Sequence, residues 1–437
     1  MQVGIMHRLA LLILQGPASP FLKEVAREAE NAGAKVFKIN FCLGDGVFWW
    51  PRKADWFTGG SDEWPAFLLD YLRRNGITDI LMLGDGRQKH AAAVEIAREA
   101  GVRVHVLEHG YLRPDWLTIE PEGMSGRSWF PRDVTTLRAL ADSVPAVDLR
   151  SRFKSSFLTY ALYDLAYHVP NVLLGWLLHP NYRTHGPVHP LVEYAGWIGK
   201  GLTSRRRRRQ AQEVQQRYLP TETSAPRYFL FPLQLPGDYQ IRIHAPFGDH
   251  FEIVSATISS FAEEAPADTR LLFKTHPIDN GLSGWAGFVM REARRHGVEQ
   301  RVDVIDGGDL DKLIANATGI VTVNSTVGLS AIMADKPVIT LGAAIYDVAG
   351  ATHQDSLANF WRTPQAPQPD MPEVLAKALV TTTQVRGGFL GAEAIAAGAR
   401  GVVTRIMDPC SALKRPSSAA TIYRYEPELR QASITAA

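Results

Sequence analysis

Cysteine is nearly absent from this sequence of 437 residues, which contains only Cys42 and Cys410. Two cysteines so far apart form neither a disulfide framework nor a zinc-ligand spacing, so we expect a reducing compartment, the cytoplasm. No apolar run reaches the roughly 18 residues that a membrane-spanning helix needs. The apolar run at residues 9–14 is short and has no cleavage-site pattern after it, so we interpret it as a first strand rather than a signal peptide.

Net charge is also small, at +2, and does not favour a nucleic-acid-binding protein. No Gly-x-Gly-x-x-Gly fingerprint of dinucleotide-binding proteins follows any predicted strand. The hydrophobic content of 46% and the charged content of 21% are typical of a globular protein. The length predicts two to three domains.

Strand-like and helix-like segments alternate twice along the chain. In the first half the predicted strands are 9–14, 35–39, 79–83 and 103–107, and in the second half they are 228–233, 271–274, 302–305, 319–323 and 338–341. Such alternation predicts parallel sheets covered by helices, that is, an α/β fold with two Rossmann-like halves. We expect them to face each other across a cleft, as in GT-B proteins, although alternation alone would also fit a periplasmic-type binding protein. The predicted boundaries are 1–150, a helical insertion over 151–225, 226–345, and a C-terminal helical segment and tail over 346–437.

Polar and glycine-rich turns follow the strands of the first half. Because parallel strands end at one edge of a sheet, these turns should lie close together. Glu108, after the last strand, is a candidate general acid or base. Helix capping and solvation of the surface are the simpler explanation for the charged residues of these turns. The candidate residues in the turns are Gly16, Asp45, Asp85, Arg87 and His90.

Three elements of the second half could bind an anion or supply a carboxylate. His276, held by Pro277, follows a strand and could donate a hydrogen bond to a phosphate. Asn324, Ser325 and Thr326 lead into a predicted helix, whose N-terminal N–H groups favour an anion. An ordinary serine or threonine cap would explain the second element equally well. Asp238 follows the first strand of this half in a Pro-Gly-Asp sequence that is also typical of a turn.

The predicted insertion combines an aromatic, apolar segment at 156–178 with a run of five arginines. An anionic lipid surface would bind both parts, whereas a buried interdomain helix followed by a solvated basic loop is an equally good interpretation. Contact with RNA is a weaker one, because no stacking aromatic residues lie near the run. The arginines are Arg205, Arg206, Arg207, Arg208 and Arg209.

The segment 107–123, LEHGYLRPDWLTIEPEG, resembles the signature of the capsular polysaccharide proteins of KpsS and LipB type, E-x-G-Y-L-R-P-x-W-x-T-x-E-x-x-G. We expect a strand that ends in a loop here. The resemblance extends over most of residues 8–361 and adds Arg113 to the residues expected near an acceptor. It also covers a G-D-x-R-x-x-H run that contains Asp85, Arg87 and His90. The matched positions are Glu108, Gly110, Tyr111, Leu112, Arg113, Pro114, Trp116, Thr118, Glu120 and Gly123.

The second half is similar to the CMP-binding half of bacterial sialyl- and Kdo-transferases of GT-B form. In those enzymes a His-Pro pair and a later Ser/Thr element bind the donor phosphate, which implies this role for His276, Ser325 and Thr326. The segment from Gln234 to Asp238 resembles the Q-x-x-x-D segment of retaining β-Kdo transferases. Retention by double displacement needs a nucleophile and an acid/base, and the resemblance implies Asp238 and Glu108 for them. Many relatives have a second acid where this chain has His109.

The resemblance therefore predicts an enzyme that transfers 3-deoxy-D-manno-octulosonic acid (Kdo) from CMP-β-Kdo to phosphatidylglycerol or its lyso form, to start a capsule linker. No cofactor and no metal ion are expected, and no nucleic acid. The enzyme would be cytoplasmic and peripheral on the inner membrane, with other capsule assembly proteins as further expected partners. Use of another nucleotide sugar and a noncatalytic role in capsule export or assembly are the alternatives.

Overall fold

The computed structural model describes residues 9–408, except 143, 155, 185–188, 220–224, 236 and 246–248, and also residue 413. These residues form two compact units. The first comprises the described residues of 9–130, 147–184 and 379–408, and the second those of 131–146 and 189–378.

The strands of the two units form two separate sheets. In chain order they are β1 (Ala10–Ile13), β2 (Lys35–Asn40), β3 (Asp55–Trp56), β4 (Asp79–Leu83), β5 (Arg103–His109), β6 (Trp116–Pro121), β7 (Arg227–Pro232), β8 (Thr269–Lys274), β9 (Val302–Ile305), β10 (Gly319–Thr322), β11 (Val338–Thr340) and β12 (Gln384–Arg386).

Helices cover these sheets and form the insertion. They are α1 (Phe21–Asn31), α2 (Leu43–Trp49), α3 (Trp64–Asn75), α4 (Gln88–Glu99), α5 (Val134–Asp142), α6 (Phe157–Leu178), α7 (Pro190–Leu202), α8 (Ser204–Tyr218), α9 (Tyr239–His244), α10 (His250–Glu264), α11 (Trp285–Arg295), α12 (Leu310–Asn316), α13 (Thr326–Met333), α14 (Leu357–Arg362), α15 (Met371–Thr382) and α16 (Ala392–Met407).

Both sheets have the same doubly wound topology. The first has the order β12-β6-β5-β4-β1-β2-β3, in which β1 to β5 are parallel and β6 runs antiparallel to both β5 and β12. The second is wholly parallel, with the order β11-β10-β7-β8-β9. Counted from the first strand of each unit, the five parallel strands have the order 3-2-1-4-5, and ligands of such sheets bind where this order reverses. These switch points lie between β1 and β4 and between β7 and β10, and the predicted α/β class with two Rossmann-like halves is confirmed.

The central strands of each sheet are buried, as expected for apolar strands that are covered on both faces. In the first unit α1 has its buried residues at helical spacing and packs against α16, and Phe21 contacts Phe389 with ring centroids 5.1 Å apart. In the second unit α10, α11 and α14 cover the sheet, and Phe360 and Trp361 belong to its core. The two units therefore have separate hydrophobic cores.

The loop expected after Glu108 is present but is shorter than we expected. β5 continues to His109, residues 110–115 form the loop, and the chain then returns as β6, which pairs antiparallel with β5. β6 also pairs with β12, so its residues are buried between two neighbouring strands. The predicted polar turn after β2 contains the start of α2, and Gly237 and Asp238 lead into α9.

The insertion consists of three helices and is shared by the two units. α6 continues through Pro170, and it belongs to the first unit. α7 and α8 belong to the second unit, so the arginine run is helical rather than a loop. The C-terminal segment is divided as well, because α14 joins the second core whereas β12 and α16 join the first. The tail from residue 409 lies outside the described residues, apart from residue 413.

Candidate functional site

Gln15 organises the switch point of the first sheet. It is 2% exposed and lies two residues after β1, where its Nε2 donates to the Tyr167 hydroxyl at 2.8 Å and to both Asp45 carboxylate oxygens at 3.1 Å. Tyr182 offers a further acceptor at 3.3 Å. Its Oε1 accepts a hydrogen bond from Arg87 Nη1 at 2.9 Å. Gln15 thus joins two predicted residues, Asp45 and Arg87, to the insertion.

Gln15, Tyr167 and Tyr182 were not predicted as site residues. The available signal was a polar residue directly after a wholly apolar strand, which is where a sheet of this class holds its ligands. Nothing in the spacing of the sequence could connect the two tyrosines with Asp45, because the contacts span more than 120 residues.

Two other predicted residues support the backbone of this edge. His90 is buried, and its Nδ1 lies 3.0 Å from both the Leu83 and the Gly84 carbonyl oxygens, so Nδ1 carries the proton. Burial, together with Arg87, lowers the pKa of His90 to about 3, which keeps the ring neutral. Gly16 packs against α1, where a Cβ would lie 2.1 Å from Leu22 Cδ1.

Glu108 lies near the end of β5, beside the turn that follows β4. Its Oε2 would lie 3.5 Å from a Cβ placed on Gly84, and its Oε1 accepts the N–H of His109 at 2.9 Å. Burial lowers the pKa of Arg113, and the nearby Glu108 opposes that shift. Asp85 is buried in the same turn, where burial raises its pKa despite Arg127, 3.5 Å away. The edge therefore brings Glu108, Asp85 and Arg113 into one neighbourhood.

Most of the signature after Glu108 builds the hairpin. Tyr111 donates to Glu120 Oε1 at 2.9 Å inside the unit, and Ser128 donates to Glu120 Oε2. The Trp116 carbonyl oxygen would lie 2.5 Å from a Cβ at Gly110, so only glycine allows this close approach. Among the acids of the signature, Glu120 is thus a structural residue and Glu108 stays the candidate for chemistry.

The switch point of the second sheet has a glutamine at the same place. Gln234 is 5% exposed and lies two residues after β7. Its Nε2 donates to Asn324 Oδ1 at 3.0 Å, across the reversal of strand order, and lies 3.4 Å from Asp238 Oδ2. The backbone N–H of Asn324 lies 3.5 Å from Gln234 Oε1. Three predicted residues, Gln234, Asp238 and Asn324, are therefore brought together, with Asp238 half-buried at the start of α9.

Ser325 caps α13 beside this cluster. Its Oγ accepts the N–H of Val327 at 3.3 Å, and its carbonyl oxygen accepts the hydroxyl of Tyr346. A Cβ on Gly328 would lie 2.3 Å from the Tyr346 hydroxyl, so glycine is required here. The cap leaves the Ser325 O–H as a donor, next to the positive end of the helix. Thr326 is the first residue of α13.

His276 follows β8, on the other side of β7 from Ser325. Its Nδ1 accepts the N–H of Ile278 at 3.3 Å, so in the neutral ring Nε2 carries the proton and can donate. β8 and β10 are two strand spacings apart, roughly 10 Å, and Gln234 follows β7, the strand between them. Pro277 is exposed.

A cavity of about 330 Å³ lies within the second unit, beside the segment that contains His276. Thr275, Asp279, Trp285 and Asp306 are among the residues that line it, together with Arg207 of α8. Asp279 is buried, and its Oδ2 has no hydrogen-bond partner among the described residues. The cavity is at the lower end of the size range of small-molecule sites.

The arginine run does not act as one patch. Arg207 turns inward to pair with Asp306, and Arg209 pairs with Glu213 on α8 at 3.0 Å. Arg205, Arg206 and Arg208 are exposed and have no ion-pair partner in the part of the chain that the structure describes.

The insertion and its surroundings also expose large apolar side chains. Trp176 of α6 is 72% exposed and Leu202 of α7 is 85% exposed. Further exposed residues on these helices and near α2 are Phe157, Leu158, Leu162, Leu173, Leu174, Leu177, Leu191, Ile198, Val47, Trp50 and Trp56. No helix among the described residues is long and apolar enough to cross a membrane. Within the same residues, no group of three or more His, Cys, Asp or Glu side chains could hold a metal ion.

Comparison with known proteins gives a family match across most of the chain. The family model described as capsule polysaccharide biosynthesis protein matches residues 78–390. The capsule polysaccharide export protein KpsS of Escherichia coli is 31% identical over 385 residues, which cover 86% of this chain and 96% of that protein. The capsule polysaccharide modification protein LipB of Neisseria meningitidis serogroup A is 30% identical over 387 residues, or 87% of this chain and 91% of LipB.

Among solved structures, Thermosulfurimonas dismutans KpsC, described as a β Kdo 2,7 transferase, is similar with a TM-score of 0.43 and 16% sequence identity. That match covers 86% of this chain and 92% of the KpsC chain.

Proposed function

The chain belongs to the capsule polysaccharide biosynthesis family, and from this membership we propose that it is a glycosyltransferase that transfers β-Kdo from CMP-β-Kdo. The proposed acceptor is phosphatidylglycerol or its lyso form, and the product would start the linker of a capsule. The observation that carries the proposal is the cluster of Gln234, Asp238 and Asn324 at the second switch point. It supports the proposal because it holds a half-buried carboxylate beside the reversal of strand order, where sheets of this class bind ligands.

In the first proposed step, an Asp238 carboxylate oxygen attacks the anomeric carbon of Kdo. The bond from that carbon to the CMP phosphate oxygen breaks, and CMP leaves with the electron pair. Gln234 holds Asp238 from one side, which fixes the carboxylate for attack. The His276 Nε2–H, the Ser325 hydroxyl and the N-terminus of α13 would stabilise the negative charge that develops on the phosphate.

In the second step, the acceptor hydroxyl attacks the same carbon and displaces Asp238, so that two inversions give net retention. Glu108 would remove the proton from that hydroxyl as general base. Asp45, Asp85, Arg87 and Arg113 remain the proposed acceptor side. His90 and Gly16 would act there through the backbone that they support.

Membrane contact follows from a lipid acceptor, and each unit supplies an element for it. α6 of the first unit offers exposed apolar and aromatic side chains, and α8 of the second offers Arg205, Arg206 and Arg208. Apolar helix faces enter the interfacial region of a bilayer, and arginines attract anionic headgroups. We propose that the protein is peripheral on the cytoplasmic face of the inner membrane.

The decisive experiment is a transfer assay with CMP-Kdo, generated in situ, and a fluorescent phosphatidylglycerol acceptor, with the product mass read by spectrometry. A single added Kdo would support both donor and acceptor. Equal activity with and without a chelator is expected if the protein donors alone stabilise the phosphate. CMP binding without transfer would refute this acceptor, and the absence of both would favour a noncatalytic role in capsule export or assembly.

A further inference from the structure

Two cationic side chains of the insertion contact the segments that follow β8 and β9. Lys200, near the end of α7, donates from its Nζ to the carbonyl oxygen of Asp279, and this Nζ also lies 3.4 Å from Asp306 Oδ1. Arg207, in the first half of α8, pairs with Asp306 Oδ2. All three charged side chains are only a sixth to about a quarter exposed, so water screens these pairs less than pairs on the open surface.

Asp306 also contacts Thr275, the residue before His276. Thr275 Oγ1 donates to Asp306 Oδ1 at 2.9 Å, and the Thr275 N–H donates to the Ile305 carbonyl oxygen at 2.9 Å. The segment that begins at Thr275 is therefore held at one end through Asp306 and at the other end by Lys200.

The segment between these two attachments contains His276. The N–H of Asp279 donates to the His276 carbonyl oxygen at 3.0 Å, and the N–H of Ile278 donates to His276 Nδ1 at 3.3 Å. Lys200 and Asp306 hold the backbone of this segment, and that backbone in turn orients the His276 imidazole. The same backbone contact to Nδ1 leaves the proton of the neutral ring on Nε2. If the segment moved, Nε2–H would no longer be aimed in one direction.

We propose that Lys200 and Arg207 are positioning residues, which hold the segment 275–279 through Asp306 and thereby aim the His276 Nε2–H at the phosphate of the donor. The inference rests on the proposed function, because it takes that phosphate as the ligand. Arg207 accordingly has a different task from its neighbours in the arginine run, and Lys200 joins the donor side although it lies on a helix of the insertion.

The test measures CMP and cytidine binding by calorimetry for Lys200→Met, Arg207→Met and Arg207→Lys, without lipid. Each methionine variant should bind CMP roughly tenfold more weakly, as expected for loss of one charged hydrogen bond. Lys200→Met should leave the affinity for cytidine, which has no phosphate, unchanged, and Arg207→Lys should recover most of the loss. The ¹⁵N spectrum of labelled histidine should show altered His276 ring signals in both methionine variants, with the assignment taken from His276→Asn.

Arg217→Met is the matched control, because Arg217 is also on α8 and also pairs with an aspartate, Asp303 of β9, at 3.4 Å. It should keep the CMP affinity and the His276 signals of the unchanged protein. Unaltered His276 signals in both methionine variants, or equal losses for CMP and cytidine in Lys200→Met, would overturn the inference. If the unchanged protein failed to bind CMP, the proposed donor would be wrong, while the histidine spectra would still decide the positioning of His276.

Discussion

The two switch points carry the same residue at the same place but surround it differently. Gln15 and Gln234 each stand two residues after the first strand of their sheet, and each bridges the reversal of strand order. Gln15 is enclosed by Asp45 and by Tyr167 of α6, whereas Gln234 contacts a half-buried Asp238. One topological position therefore serves as an internal support in the first unit and as the neighbour of a candidate nucleophile in the second.

The largest effect expected from this difference is the loss of transfer in Asp238→Asn. The amide keeps the shape of the carboxylate and its contact with Gln234 but cannot attack the sugar, so turnover should fall by at least about 1,000-fold. CMP affinity and the free energy of unfolding should stay near those of the unchanged protein. The transfer assay and calorimetry measure both quantities.

Asp45→Asn is the corresponding change at the first switch point. Asp45 accepts hydrogen bonds from Gln15, Tyr167 and the Phe41 N–H, so this variant should lose stability rather than the chemical step. Turnover of Asp238→Asn at the level of the unchanged protein would remove Asp238 from the mechanism.

A second comparison replaces each glutamine by leucine. Gln15→Leu leaves the buried Asp45 and Tyr167 and the half-buried Arg87 without their common partner, and it should lower the free energy of unfolding by about 3 kcal/mol. Gln234→Leu breaks fewer contacts and should cost about 1 kcal/mol. Urea unfolding, monitored by hydrogen exchange of peptides from β1 and β7, measures the free energy of unfolding of each unit separately. If the two changes lowered the free energy of unfolding of their units equally, Gln15 would stabilise the first unit no more than Gln234 stabilises the second.

Much of this comparison could be predicted from the sequence. The alternation of apolar strands with amphipathic helices predicts both sheets, because strands buried on both faces and helices buried on one face leave distinct periodicities. Asp238, Gln234 and Asn324 were predicted separately, and the parallel topology brings them together since strands of one sheet end at one edge.

Other features depend on contacts that no local pattern records. β6 was taken for a loop because its pairing with β12 joins segments more than 260 residues apart. α6 continues through Pro170, although an interior proline removes one helical hydrogen bond and its ring crowds the preceding turn, because Tyr167 of this helix packs against Phe48. The inward turn of Arg207 depends on Asp306, which the sequence places about 100 residues away.

The third prediction separates the membrane elements of the two units. Arg205→Gln, Arg206→Gln and Arg208→Gln combined should weaken binding to anionic vesicles by up to about 100-fold at low salt, at about 1 kcal/mol for each arginine. Leu173→Ser with Trp176→Ser on α6 should weaken binding by a factor that salt changes little, because its source is apolar burial. Vesicle co-sedimentation at low and high salt measures both. If the arginine variant bound as the unchanged protein does, the basic run would have no membrane role.

The smallest effect concerns acid, to which both units should be sensitive through a buried histidine. Burial lowers the pKa of His90 in the first unit to about 3 and that of His250 in the second to about 4. An unfolded imidazole has a pKa near 6.5, so between pH 6.5 and these values the unfolded chain binds a proton that the folded chain does not. Stability should therefore be complete above pH 6.5 and fall as the pH falls, by about 2 kcal/mol for each histidine at pH 5.

His90→Asn sharpens this test because the asparagine amide can replace Nδ1–H as the donor to the Leu83 and Gly84 carbonyl oxygens but does not titrate. Urea unfolding at pH 7, 6 and 5 should then show less acid sensitivity in the first unit and no change in the second. A first unit whose stability was the same at pH 7 and pH 5 would show that His90 is not held neutral, and the turn before Asp85 would then depend on something other than this buried ring.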